Sequence, residues 1–598
     1  MSDYFEFDDD FEVYDDPNDY YDSDWDYYDE NYDSRDSQCV KNYGEMNLKK
    51  LESLREKFNW EIEEERRKFL NELYPLTRQW KGLRPILRKI FRRDEIDWLL
   101  AESVSYKCGH KNLKSGERFV YFVINTGYKD EPKLDEDGKP LLRHTTPLHC
   151  AAGNKYRYLI RDLFEIYDRF DVNYVDEFGV THFHIACEYG CDEVVKKFLE
   201  FGQDPNCLTQ ESSSIDPPLH LALKQEHQEI FKLLLRSGAD PNLTNKDGST
   251  PLHFICKGHE MRYRDDVFAE ILFEIDEDDK YRRHPVQVDA RDKLGQTPLH
   301  VALFRNSRDL IELLLNNGAN PNLANSEGLT PLHIICQHEY NCDLAKMLFD
   351  ISEKKHQLVH VDARDKFGRT PLHLSVVNLY PDFVEIFLDH GADAPSFTFP
   401  TKDQFAESLS LQSCLHTSKL DLVFRTLAII DHLGKRGYEL DRSDALTIMK
   451  IFDEYKLFEQ MVDRKKLRSS DELKSQSKKF MMNSNLSLYE FIWMRPKAVT
   501  KLFTVTDFLP FVRAKKHWNF PGWYKGACEN YLSNIMAEGF LRRWALEFFW
   551  ALTGYRVPFL CCEKVINQLR VEDLWRICLA TEDKSMAAIR GFKNLCIK

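Results

Sequence analysis

The stretch QTPLHVALFRNSRDLIELLLNNG, Gln296–Gly318, has the pattern of two short helices joined by a turn. Thr297 can cap the first helix with its hydroxyl, and Pro298 suits the first helical turn, where no N–H is needed. The second segment gathers Leu and Ile on one face and ends at Gly318, which suits a left-handed helix stop. Such a pair cannot bury its apolar face alone, so we expect copies of it to stack.

The same phrase occurs seven times, each time around a histidine. These histidines are His149, His184, His220, His253, His300, His333 and His373, separated by 35, 36, 33, 47, 33 and 40 residues. The spacing predicts a structural repeat. It does not indicate a metal array, because no neighbouring Cys or acidic pair completes a ligand set. Glycines between the copies predict hairpin turns, at Gly179, Gly248, Gly295, Gly328 and Gly368.

This phrase resembles the ankyrin repeat over residues 95–394, with about seven repeats and an N-terminal capping half-repeat at Arg118–Pro140. The resemblance implies an all-α solenoid of helix-turn-helix repeats that carry β-hairpin fingers. Helical spacing of apolar residues predicts a helical region at 45–94 in front of the array. A helical linker region is expected at 403–480 behind it.

Apolar residues stand directly before three of the finger glycines, at Phe178, Leu294 and Phe367. Finger tips face solvent and are normally polar, so these residues are candidates for binding a target protein. The alternative is local packing between adjacent fingers.

The net charge of −16 comes almost entirely from the N-terminus. Residues 1–36 hold sixteen acidic residues and one arginine, which leaves −1 for the rest of the chain. Charges this dense repel in a compact state, so residues 1–40 are predicted to be a disordered acidic-aromatic tail, or an interaction arm.

A basic cluster follows, at Lys81, Arg84, Arg88, Lys89, Arg92 and Arg93. It is interpreted as the solvated face of a helix, with nucleic-acid binding as the alternative.

Six of the ten tryptophans lie after position 490, which predicts a folded C-terminal domain at 485–598. Its last part, from VPFLCCEKVINQLRVEDLWRICLA, predicts two amphipathic helices, with Asp573 near the start of the second. From Pro558, apolar residues fall at intervals of +7, +8, +11 and +16.

That arrangement resembles the F-box, which begins Leu-Pro and continues through Ile, Leu and Asp-Leu at these offsets. Val557 replaces the leading Leu, and Leu560 stands where an acidic residue is common. Ankyrin repeats followed by a short F-box-like segment, here 557–598, are similar to the PRANC-type proteins of poxviruses and parasitoid wasps. The resemblance implies binding of the Skp adaptor of a cullin ubiquitin ligase. The residues carried over as adaptor-contacting or module-shaping are Pro558, Val565, Ile566, Leu569, Asp573 and Leu574.

The expected function is therefore that of an adaptor that holds a target on its repeats and recruits the ligase for ubiquitination. The alternative is a pure scaffold or sequestering inhibitor whose C-terminus is only structural.

No P-loop, G-x-S-x-G, H-E-x-x-H or kinase signature is present, so we expect no enzyme activity, catalytic residue, cofactor or metal. Nucleic-acid and membrane partners are not expected. Fifteen cysteines without a C-x-x-C, and no signal pattern, favour an intracellular location, in the cytoplasm or nucleus.

Overall fold

The computed structural model describes residues 37–78, 80, 82–104, 113–154, 157–208, 215–258, 265–277, 284–337, 341–411, 418–458, 478, 481–483, 486–493, 504–509, 512 and 522–580. Three parts of the predicted organisation lie outside these ranges: residues 1–36 of the tail, nearly all of residues 459–480 at the end of the linker region, and residues 581–598. The chain forms two compact units. The first contains the described residues up to Asp204, and the second contains the described residues from Pro205 onward.

The first unit begins with four helices: α1 (Ser37–Glu56), α2 (Glu63–Arg78), α3 (Arg93–Ser103) and α4 (Leu113–Asn125). α1 packs on α2, while α2 and α3 both pack on α4. Arg55 of α1 donates two hydrogen bonds to the carboxylate of Glu95 in α3, at 2.8 and 2.9 Å. The basic cluster is not the continuous helix that the sequence predicts. Leu87–Lys89 form only a 3₁₀ turn before α3, and Leu87 is buried.

Two helix pairs complete the first unit: α5 (Pro147–Gly153) with α6 (Arg157–Leu163), and α7 (His182–Glu188) with α8 (Asp192–Glu200). α3 packs on α5, and α4 packs on α6. α3 and α4 therefore act as a complete helix pair in front of the repeats. The sequence predicted only half of it because α3 lacks the TPLH phrase.

The second unit stacks five helix pairs: α9 (Pro218–Lys224) with α10 (Gln228–Arg236), α11 (Pro251–Lys257) with α12 (Asp265–Glu277), α13 (Pro298–Phe304) with α14 (Arg308–Asn316), α15 (Pro331–Ile335) with α16 (Cys342–Lys354), and α17 (Pro371–Val377) with α18 (Pro381–Asp389). Each first helix packs on the next first helix, and each second helix packs on the next second helix. This arrangement buries the apolar stripe that no single pair could cover.

The TPLH phrase forms the first helix of a repeat, and its histidine can bond to the finger that follows. The hydroxyl of Thr181 accepts a hydrogen bond from the backbone N–H of His184 at 3.1 Å and so caps its helix. The hydroxyl of Thr297, predicted to cap its own helix, does not make this bond and lies 2.8 Å from His300 Nδ1. His300 Nδ1 accepts from the backbone N–H of Thr297 at 3.2 Å, so its Nε2 carries the proton. That Nε2 donates to the carbonyl of Leu329, 3.0 Å away in the next finger. His149, His220, His253 and His333 make the same bond to a finger carbonyl, so these histidines link neighbouring repeats.

Behind the repeats, three helices continue the second unit: α19 (Lys402–Leu411), α20 (Lys419–Lys435) and α21 (Arg442–Glu454). α19 packs on α17 and α20 packs on α18, so this region extends the stack by one further pair. A two-stranded antiparallel hairpin follows, with β1 (Met481–Asn483) and β2 (Leu486–Ser487). The region that the sequence treats as a linker is thus a packed layer where it is described.

The C-terminal helices are α22 (Leu488–Trp493), α23 (Gly522–Leu552), α24 (Phe559–Ile566) and α25 (Val571–Leu579). The 31-residue α23 packs on α20, α24 and α25, and α25 also packs on α21. Trp544, Phe548 and Trp575 are buried in this core. The aromatic-rich end of the sequence therefore forms a folded core within the second unit, as its composition predicts.

Candidate protein-interaction surfaces

The fingers between repeats are each built around one acidic or amide side chain. In the finger at 292–296, Asp292 Oδ1 accepts from the backbone N–H of Leu294 at 2.9 Å and of Gln296 at 2.8 Å. Asp176, Asn245, Asn325 and Asp365 make the same pair of bonds in their own fingers. Sequence reasoning missed these residues, although an Asp or Asn stands three positions before each tip glycine.

Neighbouring fingers of the second unit are hydrogen-bonded into a row. The backbone N–H of Ser326 donates to the carbonyl of Leu294 at 3.1 Å, and that of Lys366 donates to Glu327 at 3.1 Å. A Cβ at Gly328 would lie 2.8 Å from the nitrogen of Lys366, so this glycine permits the close approach. The fingers are therefore held in a fixed arrangement before any partner binds.

The apolar tip residues are exposed. In the second unit, 63% of Leu294 and 68% of Phe367 remain accessible, although their fingers touch through the backbone. The Phe367 ring lies beside two cations, with Lys366 Nζ 5.2 Å and Arg369 Cζ 4.8 Å from its centroid. Phe178, in the first unit, is exposed to the same degree as Phe367. Both cations are already paired, Lys366 with Glu327 and Arg369 with Asp365. The tips therefore present exposed apolar area on an ordered backbone, which is chemistry suited to a protein surface.

The C-terminal helix pair places the predicted adaptor residues in different environments. Ile566 is 2% exposed and Leu574 is fully buried, whereas Val565 and Leu569 are half-buried. The burial of Ile566 does not fit adaptor contact, one of the two roles carried over to it. Ile566 belongs to the core because α24 packs on α23 and turns that side inward.

Two polar contacts fix the geometry of the helix pair. Asp573 accepts a hydrogen bond from the backbone N–H of Arg570 at 3.4 Å, at the start of α25. Arg542 of α23 donates to the carbonyl oxygens of Ile566 at 2.8 Å and Leu569 at 3.3 Å, where α24 ends. Its guanidinium is held in turn by Glu538, at 2.6 Å. The turn between the helices is therefore anchored to α23.

The exposed apolar residues of this region lie earlier, at the start of α24. Val557, Pro558, Phe559, Leu560 and Cys561 are all exposed, and Leu560 keeps 70% of its surface accessible. We call this segment, Val557–Cys561, the C-terminal apolar edge. Sequence reasoning missed it, although VPFLCC is six consecutive apolar or weakly polar residues on a helix that can bury only one side.

Trp550 holds this edge in place from α23. Its indole Nε1 donates to the carbonyl of Val557 at 3.2 Å, and its ring lies 5.4 Å from the ring of Phe559. The edge is therefore an ordered apolar surface on a rigid helix.

Comparison with known proteins identifies the repeats. The family model described as "Ankyrin repeats (many copies)" matches residues 166–216, and the one described as "Ankyrin repeats (3 copies)" matches 219–325 and 304–397. Residues 166–397 are ankyrin repeats. The matched segments lie within the array predicted at 95–394 except for their last residues, and the outer limits of that array stay a prediction.

Parts of this chain are similar to parts of several known proteins. The chain is 36% identical to NF-kappa-B inhibitor alpha of Sus scrofa over 105 residues, which is 17% of this chain and 32% of that protein. It is 28% identical to the B-cell lymphoma 3 protein homolog of Mus musculus over 149 residues, 25% of this chain and 30% of that protein. A probable serine/threonine-protein kinase of Dictyostelium discoideum is 37% identical over 114 residues, 19% of this chain and 12% of the kinase.

These matches span from about an eighth to a third of the relatives' lengths. Among solved structures, the ankyrin repeat domain of Bcl-3 matches at 23% identity with a TM-score of 0.31, covering 36% of this chain and 89% of that chain. Ankyrin repeats act as protein-interaction scaffolds, and that coarse role fits the exposed finger row.

The described residues contain neither a metal-ligand cluster nor a helix fit to span a membrane. Among them, no group of three or more His, Cys, Asp or Glu side chains is placed to hold a metal ion. Burial lowers the pKa of His149 and His300 to about 4, so these two stay neutral near pH 7. In the part of the chain that the structure describes, no helix is long and apolar enough to cross a membrane.

Proposed function

We propose that this chain is a substrate-recruiting adaptor: its ankyrin fingers bind a target protein, and its C-terminal helix pair binds the Skp adaptor of a cullin ubiquitin ligase. No catalytic side chain is required of such a protein. Holding the target beside a ubiquitin-carrying enzyme raises the effective concentration of the reacting groups. The chain would work within the cytoplasm or the nucleus, where that machinery acts.

The observation that carries the proposal is the C-terminal apolar edge. A monomeric soluble protein seldom leaves an ordered run of exposed apolar residues without a partner. The edge begins at Val557–Pro558, where the F-box-like pattern begins, and it is presented by a helix that Trp550 and Arg542 hold in place. We assign adaptor contact to Pro558, Phe559 and Leu560, and a shaping role to Ile566 and Leu574.

Target binding is proposed for the finger tips, with Leu294 and Phe367 in the second unit and Phe178 in the first. Exposed aromatic and aliphatic side chains on a rigid backbone lose little entropy on binding, so they are suited to anchor a partner. The cations beside Phe367 are already paired with Glu327 and Asp365, so we assign the anchoring contacts to the apolar side chains.

A second function, sequestration without ligase recruitment, has its own support. Two of the similar ankyrin proteins are NF-kappa-B inhibitor alpha and a B-cell lymphoma 3 protein homolog, and the first of these is named as an inhibitor. In that case the target would be held on the fingers and the helix pair would serve only to close the stack.

Affinity capture of the full chain from cells, followed by mass spectrometry, separates the two functions. The adaptor function predicts co-purification of the Skp adaptor and a cullin, and their loss from Leu560→Glu. Leu358→Glu is the matched control, because Leu358 is a still more exposed leucine outside the C-terminal helices. Capture of a target with neither ligase subunit, from correctly folded chain, would favour sequestration.

A further inference from the structure

The segment between α2 and α3 carries an unusual exposed surface. Leu83 and Ile86 keep 63% and 61% of their surfaces accessible, although both are large aliphatic side chains. Pro85 and Leu87 alternate with them and are buried, so the segment is pinned to the fold at two points. Its outward side chains are therefore displayed on a fixed backbone.

Basic residues are dense in the sequence on both sides of these two apolar residues. Residues 78–93 contain seven Lys or Arg and no acidic residue. Arg88 is already engaged, since it pairs with Glu131 and donates to the carbonyl of Lys129 at 2.8 Å. Arg84 and Lys89 are exposed, and neither forms an ion pair with any residue that the structure describes. We call Leu83, Arg84, Ile86 and Lys89 the basic-apolar surface.

The chain's own N-terminus has the complementary composition. Residues 1–36 hold sixteen acidic residues, eleven aromatic residues and a net charge of −15. Their carboxylates can pair with Arg84 and Lys89, while their aromatic rings can cover Leu83 and Ile86. Residues 1–36 thus match the basic-apolar surface both in charge and in apolar character.

Residues 1–36 are joined to α1 close to the basic-apolar surface, and this favours them over a separate molecule as the occupant. Gly44 of α1 lies against the segment, because a Cβ there would be 2.9 Å from the nitrogen of Leu83. α1 begins at Ser37, seven residues before Gly44, which is about 10 Å along the helix axis. A 36-residue segment that ends at this point can reach the surface many times over, and tethering places it there at about millimolar effective concentration.

We propose that residues 1–36 bind in cis to the basic-apolar surface. The N-terminal segment then acts as an internal competitor, and an acidic protein or a nucleic acid must displace it to reach Arg84 and Lys89. Because exposed charges supply much of the attraction, binding weakens as salt is added.

Carbodiimide cross-linking of the full-length chain tests the contact directly, because it joins a lysine amine to a carboxylate only where the two touch. We expect Lys89 to cross-link to Asp or Glu of residues 1–36 with about fivefold higher yield than Lys196 or Lys224, and to lose this excess near 0.5 M salt. Lys196 and Lys224 are exposed lysines far along the sequence and serve as controls. Mixing isotope-labelled and unlabelled chains identifies links within one chain.

Two variants test the chemistry of the surface in the same assay. Ile86→Ser should lower the Lys89 yield by removing the apolar contact, and Arg84→Glu should lower it by opposing the tail charge. Both residues are exposed, so the thermal unfolding profile should not change. Equal yields at the three lysines, links between chains only, or a Lys89 yield indifferent to both substitutions would overturn the proposal.

Discussion

Arg542 Nη1 lies 2.8 Å from the carbonyl oxygen of Ile566 and donates a hydrogen bond to it at the end of α24. The same guanidinium is paired with Glu538, which is buried within α23. One side chain therefore joins the helix pair that carries the apolar edge to the long helix beneath it.

Replacing Arg542 by Met should destabilise the C-terminal helices, because it leaves a buried carboxylate and two helix-end carbonyls without their donor. We expect a loss of about 1–3 kcal/mol in the free energy of unfolding, measured by denaturant titration. Arg543→Met is the matched control, since Arg543 is exposed and lies over the ring of Trp544. Equal effects from the two substitutions would contradict the anchoring role of Arg542.

Because neighbouring fingers touch, we expect substitution of two glycines with similar backbone angles to lower the stability by different amounts. Gly328 and Gly368 have φ of +78° and +75°, so alanine strains both by about 1 kcal/mol. Only Gly328 faces the next finger, where a Cβ would meet Lys366 at 2.8 Å, whereas nothing lies within 4 Å of a Cβ at Gly368. Gly328→Ala should therefore lower the thermal midpoint clearly more than Gly368→Ala does, as calorimetry can measure.

Acid should destabilise the ankyrin repeats through their buried histidines. Burial lowers the pKa of His300 to about 4 in the fold, below its ordinary value of 6.5. Between these values the unfolded chain binds the extra proton, so stability is present above pH 6.5 and falls as the pH drops towards 4. The expected slope is about 1.4 kcal/mol per pH unit for each such histidine. His300→Gln should reduce the slope by about one proton in urea titrations at several pH values; an unchanged slope would contradict the assignment.

The finger tips should govern target capture without governing stability. Leu294→Ser with Phe367→Ser removes exposed apolar area, so target binding should weaken by about tenfold or more while the unfolding profile stays within about 0.5 kcal/mol. Leu358→Ser is the control for loss of an exposed leucine elsewhere in the second unit. A large loss of stability in the tip variant would place these residues in the core, and unchanged capture would remove them from the binding surface.

The sequence predicts the ankyrin helices well because their determinants are local. In the pair α13 and α14, Thr297 precedes the first helix, Pro298 begins it and Gly318 follows the second helix, and the structure places the helix bounds beside these residues. It predicts poorly where tertiary packing decides. α3 forms the first helix of a pair without the TPLH phrase, and nothing within its own segment indicates the partner on which it packs.

The C-terminal site illustrates the same limit. The pattern of Val565, Ile566 and Leu569 predicts an apolar helix face, and such a face exists. Whether it turns outward or inward depends on α23, which begins over forty residues earlier and packs against it. Once that packing has occurred, the Val557–Cys561 edge is the apolar segment of this helix that stays exposed.

The central claim is that this apolar edge binds the Skp adaptor of a cullin ubiquitin ligase. The most direct measurement is calorimetric titration of the purified full-length chain with that adaptor, for the wild type, Leu560→Glu and Leu358→Glu. The account predicts micromolar or tighter binding for the wild type and Leu358→Glu, and loss of binding for Leu560→Glu, because a carboxylate buried at an interface costs several kcal/mol. Absence of binding by the folded wild-type chain, or equal binding by Leu560→Glu, would contradict it.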